Sequence, residues 1–112
     1  MPFARVTVDM SAIDSWDSFH TVFKEALGFP DFYGRNMNAW IDCLTSLDAP
    51  EDGLTAVHAP VGGVMVLDLP GTRALGARCP DIYSALIECS AFVNYRRIAN
   101  GSDSVLCLSF FD

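Results

Sequence analysis

Basic residues are scarce in this chain, with seven Lys and Arg against fourteen Asp and Glu and a formal charge of −7. No basic run could neutralise a row of phosphates, which disfavours direct nucleic-acid binding. An acidic chain is drawn instead to basic partners, although net charge serves solubility equally well, so charge alone does not choose. Long apolar runs are also lacking. None approaches the roughly 18 residues a membrane helix needs, and the opening MPFARVTVDM alternates apolar with polar residues where a secretory signal would present an apolar core. The expectation is a soluble, cytoplasmic protein without a membrane partner.

Groups able to do chemistry are few. Only two histidines occur, His20 between Phe19 and Thr21 and His58 in a loop, neither at a spacing that specifies a metal site or a catalytic triad. The pair Gly62-Gly63 precedes a strand, whereas phosphate-cradling glycines lie between a strand and a helix. Cys43, Cys79, Cys89 and Cys107 sit in apolar stretches with no close pair, and read as reduced core thiols, not disulfides or metal ligands. No cofactor, metal or catalytic residue is expected.

What is present is a core. With 51% apolar residues over 112 positions, the chain suits one compact domain across residues 1–112 and is too short for two. Ala4, Val6 and Val8 alternate with Arg5 and Thr7, the period-two signature of a strand over Phe3 to Asp9. Asp14 or Ser15 caps a first helix whose apolar residues Trp16, Phe19, Phe23, Ala26 and Leu27 recur at helical steps, so that Trp16 reads as core. Gly28 and Pro30 end it. Asn36 caps a second helix with the stripe Met37, Trp40, Ile41, Leu44 and Leu47. Residues 48–63 read as a loop. Val64 to Leu69 and Val105 to Phe110 are nearly continuous apolar runs, expected as buried strands, the first covered by helices on both faces. Pro80 opens a third long helix ending at Asn100 and Gly101, with Arg96 and Arg97 favourably placed near its negative end. Strands separated by helices imply an α/β fold with a small parallel sheet.

One stretch resists a purely structural reading. In PDFYGRNMNAWIDCLT, residues 30–45, the aromatic residues Phe32 and Tyr33 stand in a short polar connector, Gly34 permits an unusual backbone angle, and Asn38 and Asp42 share an exposed face one turn apart. Taken singly, each is a loop residue, a cap or a solvated helix position. Together, aromatics around a carboxylate have the composition of a protein-interaction hot spot.

The segment FPDFYGRNMNAWIDCLTSLD, Phe29 to Asp48, resembles the barstar family, the small intracellular inhibitors of secreted bacterial ribonucleases of the barnase type. Elsewhere the likeness lies in the order of elements. The resemblance implies a three-stranded parallel sheet packed with helices and a second helix that plugs the partner's cationic active site. It implies Asp42 as the central phosphate-mimicking carboxylate, with Phe32 at a ring-packing position and Gly34, Asn36, Met37 and Thr45 at contact positions. Glu88, in the last long helix, is a further candidate acid. Tyr33, Arg35 and Asn38 complete the expected partner-binding set. Arg35 and Asn38 depart from the family, which has acids there, so Asp31, Arg35, Asn38 and Asp42 sum to −1.

Two functions of different class follow. The leading one is a non-enzymatic inhibitor or immunity protein that occludes a barnase-type or related ribonuclease. The alternative is an interaction module of the same fold for a non-nuclease partner, favoured by Arg35 and Asn38. A small hydrolase built on His20 or His58 is the minor third reading.

Overall fold

The computed structural model describes residues 2–111. The elements run β1 (Phe3–Thr7), a 3-10 turn (Met10–Ala12), α1 (Trp16–Leu27), α2 (Met37–Thr45), a second 3-10 turn (Pro50–Asp52), β2 (Val64–Pro70), α3 (Thr72–Arg78), α4 (Pro80–Ala99) and β3 (Leu106–Phe111). The three strands form a parallel sheet in the order β1-β2-β3, with Val6 opposite Leu67 and Leu67 opposite Leu108. This is the small parallel α/β architecture that the alternation of strands and helices implied.

The helix ends follow local chemistry. The Ser15 hydroxyl accepts the Ser18 N–H while the Ser18 hydroxyl accepts from Ser15, a reciprocal cap that satisfies two otherwise orphaned donors of α1. Gly28 closes α1 at φ 68°, and its left-handed turn brings the backbone against Ala56, whose N–H donates to Leu27 O at 2.9 Å. Asn36 caps α2 by accepting the Ala39 N–H at 2.8 Å. Asn94 on α4 grips the start of β3, accepting from the N–H groups of Val105 and Leu106 and donating to Leu106 O.

The core lies between the sheet and the helices. Phe19 and Phe23 of α1, Trp40 and Leu44 of α2, and Met65, Leu67 and Leu69 of β2 are fully enclosed. Trp40 stands edge-on to Phe23 with ring centroids 5.5 Å apart, so the largest side chain of α2 is locked to α1.

Four expectations are corrected here. Helices do not cover both faces of β2: Met65, Leu67 and Leu69 are buried on one face, whereas the other carries exposed Phe3 beside Val64 and exposed Arg5 and Cys107 beside Val66. Right-handed crossovers that step in one direction through a β1-β2-β3 sheet bring every helix to the same side. Trp16, expected in the core, is 41% exposed because it occupies the first turn of α1, where it leans edge-on against Phe19 and stacks on His20 while its outer side faces solvent. Cys107 is exposed, so not every thiol is a core thiol, although all four are free. Finally, α3 lies where no helix was expected. Its seven residues between Gly71 and Pro80 are too few to display a helical period, and Arg78 holds it in place by donating to Met10 O and Ile13 O.

Candidate functional site

The surface at α2 is built from a turn, a helix and two braces. The Tyr33 N–H donates to Pro30 O at 2.9 Å, closing the connector into a turn that throws Phe32 outward, 77% exposed. Asn38 and Asp42 follow on the exposed side of α2, opposite Trp40 and Leu44. The apolar stripe faces the core, so the intervening polar residues are turned to solvent.

Tyr33 lies beneath this surface. Its ring is buried against Phe29 and its hydroxyl lies 2.6 Å from Nδ1 of His20. Burial also pushes the phenol's pKa well above its ordinary value, keeping it neutral. Tyr33 therefore positions the connector from beneath and reaches the surface only at the floor of the depression beside Asp42. The same contact removes His20 from catalysis, since the imidazole is enclosed and partnered by a phenol. His58 has only a long 3.4 Å contact to Thr55 Oγ1, with no carboxylate to orient it among the described residues.

The unusual backbone angle belongs to Arg35, at φ 52°, and not to Gly34. A non-glycine residue in the left-handed region costs on the order of 1 kcal/mol. The Arg35 side chain offsets this by donating from Nη2 to Asp17 Oδ1 at 2.7 Å, to Asp17 O at 2.8 Å and to the Thr21 hydroxyl at 2.9 Å. Gly34 instead leaves room for a neighbour, because a Cβ there would come to 3.2 Å from the Asn36 side-chain amide that caps α2 and press on that cap.

Arg96 and Arg97 do more than favour the end of α4. Arg96 Nη2 reaches Asp42 Oδ1 at 3.0 Å and the Thr45 hydroxyl at 2.6 Å. Arg97 makes a two-pronged pair with Asp48, at 3.0 and 2.8 Å, and also donates to Thr45 O and Asp103 O. That pair holds the Asp48 carboxyl below its usual pKa. The two arginines thus tie the C-terminal ends of α2 and α4 together. The sequence shows neither contact, because 49 or more residues separate the partners.

Beside Asp42 lies a shallow depression of about 180 Å³, lined by Pro30, Phe32, Gly34, Ala39, Cys43 and Leu54, with Tyr33 at its base. Its walls are apolar and Asp42 supplies the carboxylate. Leu54 comes from the 48–63 loop, which is pinned by Ala56 N–H to Leu27 O and Ala59 N–H to Leu47 O. Burial, and then the neighbouring Asp42 charge, push the Cys43 thiol up to about 11, so it is an inert part of the wall.

Of the expected site residues, Phe32, Gly34, Arg35, Asn36, Asn38 and Asp42 are exposed along one connector and helix face, Thr45 is half-buried under Arg96, and Met37 packs partly into the core. Glu88 is exposed on α4, two turns before Arg96. Sequence reasoning missed Asp17, Leu54 and Arg96. Phe92 and Tyr95 also form an exposed stacked pair on α4.

Among the described residues, no helix is long and apolar enough to cross a membrane, and no cluster of three His, Cys, Asp or Glu is arranged to hold a metal ion.

Comparison with known proteins agrees with this architecture. A 47-residue stretch, 41% of the chain, is 38% identical to "Putative ribonuclease inhibitor YrdF" of Bacillus subtilis (strain 168) and covers 52% of that protein, so the match spans about half the relative's length. A family model described as Barstar (barnase inhibitor) matches residues 3–101, nearly the whole chain. The three-stranded parallel sheet and the matched family together mean that this chain belongs to the barstar family, a family of inhibitors and not of enzymes.

Proposed function

We propose that this protein inhibits a barnase-type ribonuclease by stoichiometric occlusion, with the connector and α2 entering the enzyme's cationic active site. The observation that carries this is Asp42: a carboxylate with 63% of its side chain exposed, at the rim of an apolar depression flanked by Phe32. An active site that binds RNA phosphate presents guanidinium and ammonium groups, and a carboxylate fits them through charge-assisted, often bidentate hydrogen bonds. Phe32 adds exposed aromatic area, and the depression can receive one partner side chain while excluding water around the ion pair. Around this centre, Tyr33 at the floor of the depression and Gly34, Arg35, Asn36, Met37, Asn38 and Thr45 shape the docking face, and Glu88 contributes from α4.

The test is a titration of the protein into a ribonuclease activity assay, with Asp42→Ala as control. The wild type should inhibit at one equivalent. The variant should lose about 2–5 kcal/mol of binding, the usual cost of stranding a desolvated cation, while its melting temperature changes little because Asp42 is exposed. Equal inhibition by the variant rejects Asp42 as the centre.

A second reading, a module for a non-nuclease partner, is favoured by the balance of charge on this face: Asp17, Asp31 and Asp42 are opposed by Arg35 and Arg96, leaving one net negative charge. Such a partner would associate at a rate nearly independent of salt, whereas docking to a cationic nuclease slows as salt rises.

A further inference from the structure

Asp42 faces a partner with one of its two carboxylate oxygens already engaged. Its Oδ1 already accepts from Arg96 Nη2, and the same nitrogen donates to the Thr45 hydroxyl, which in turn donates to Ile41 O. The Arg96 head is thereby fixed across Asp42 and Thr45 on one face of α2. The next residue, Arg97, is anchored by four hydrogen bonds, which sets this end of α4 firmly beside α2. A partner guanidinium that seeks both carboxylate oxygens finds one taken, and it must come within a few ångströms of a like charge.

We propose that Arg96 is a specificity-determining residue of the docking face, an intramolecular counter-ion that the partner's cation must displace to reach Asp42. It weakens docking to any cleft crowded with cations and favours one that offers a single well-aimed cation and leaves Arg96 on Thr45. Repulsive elements of this kind are a normal route to discrimination between related partners. The inference rests on Asp42 being the docking centre and adds what controls access to it.

The experiment measures association rate and affinity for a barnase-type ribonuclease across a salt series, for wild type, Arg96→Gln, Arg96→Lys and Asp42→Ala, with melting curves to verify folding. The pair is exposed enough for its loss to be structurally minor, with Arg96 33% and Asp42 63% exposed. Arg96→Gln should bind roughly fivefold tighter than wild type, the equivalent of one exposed ion pair no longer competing. It should also associate faster, with a steeper dependence on salt. Arg96→Lys, which keeps the charge, should gain less. Binding by Arg96→Gln that is equal to or weaker than wild type, while Asp42→Ala is impaired, overturns the counter-ion role and leaves Asp42 as the centre. If Asp42→Ala binds as wild type does, or no form binds at micromolar concentration, the docking assignment falls and the counter-ion role falls with it.

Discussion

Replacing Arg97 with methionine should destabilise the fold by about 2–3 kcal/mol, a far larger effect than the neighbouring Arg96→Gln change. The magnitude follows from burial and geometry. The Arg97 side chain is 11% exposed and Asp48 29%, and the two meet through a pair of parallel hydrogen bonds while Arg97 also serves the carbonyls of Thr45 and Asp103. Removing one partner of a fully buried pair costs about 3–5 kcal/mol, and the residual access of water to Asp48 brings the expectation down. Methionine keeps most of the aliphatic stem, so the loss reports the head group. For a chain of this size the melting temperature should fall by roughly 10 °C. The pair also has a pH signature. The Asp48 carboxyl is held below its usual value chiefly by the Arg97 hydrogen bonds, so the folded state favours the ionised form. That contribution is complete above the ordinary aspartate value of 3.8 and is lost as pH falls through the lowered folded value. Urea denaturation of wild type and Arg97→Met between pH 3 and 8 should show a constant gap down to about pH 5. In stronger acid the gap should narrow to the part owed to the carbonyl bonds. A gap below about 0.5 kcal/mol, the range of ordinary surface substitutions, or one unchanged in acid, would refute the reasoning.

Burial lowers the pKa of His20, the nearby Arg35 charge lowers it further, and Asp17 opposes them. The unfolded chain therefore takes up the proton first, and stability should decline as pH drops below about 6.5; thermal melts from pH 8 to 5 should show this slope in wild type and lose it in His20→Gln. Gly28→Ala should cost about 2–4 kcal/mol in urea denaturation, since it places a side chain at positive φ and drives Cβ into Ala56; a midpoint within error of wild type would mean that the α1 to loop contact is looser than described. The Asp42→Ala and Arg96→Gln binding experiments complete the set.

Much of the fold is legible in the sequence. Ser15 and Asn36 as caps, Gly28 as the left-handed stop and the stripe of α2 through Trp40 and Leu44 are local patterns, decided within a few residues by backbone hydrogen bonding and helical period. The family segment from Phe29 to Asp48 likewise named Asp42 as the exposed carboxylate of α2. What could not be read was whatever depends on residues distant in sequence. Phe32 and Tyr33 are adjacent aromatics, yet one is turned out and the other buried, because the turn at Pro30 and the imidazole of His20 select the inward ring.

The sequence by itself determined α1, α2 and α4, their ends and the parallel pairing of the strands, since all of these follow from short-range periodicity, capping and chain connectivity, and its likeness to the family marked the segment proposed to dock. Only the tertiary structure decided the electrostatic character of that segment. It set Asp17 under Arg35 and Arg96 over Asp42, and the charge a partner meets is the sum over groups gathered in space. Coulomb interactions depend on distance through the folded molecule, and a pair 54 residues apart along the chain and 3.0 Å apart in the fold leaves no trace in any local pattern.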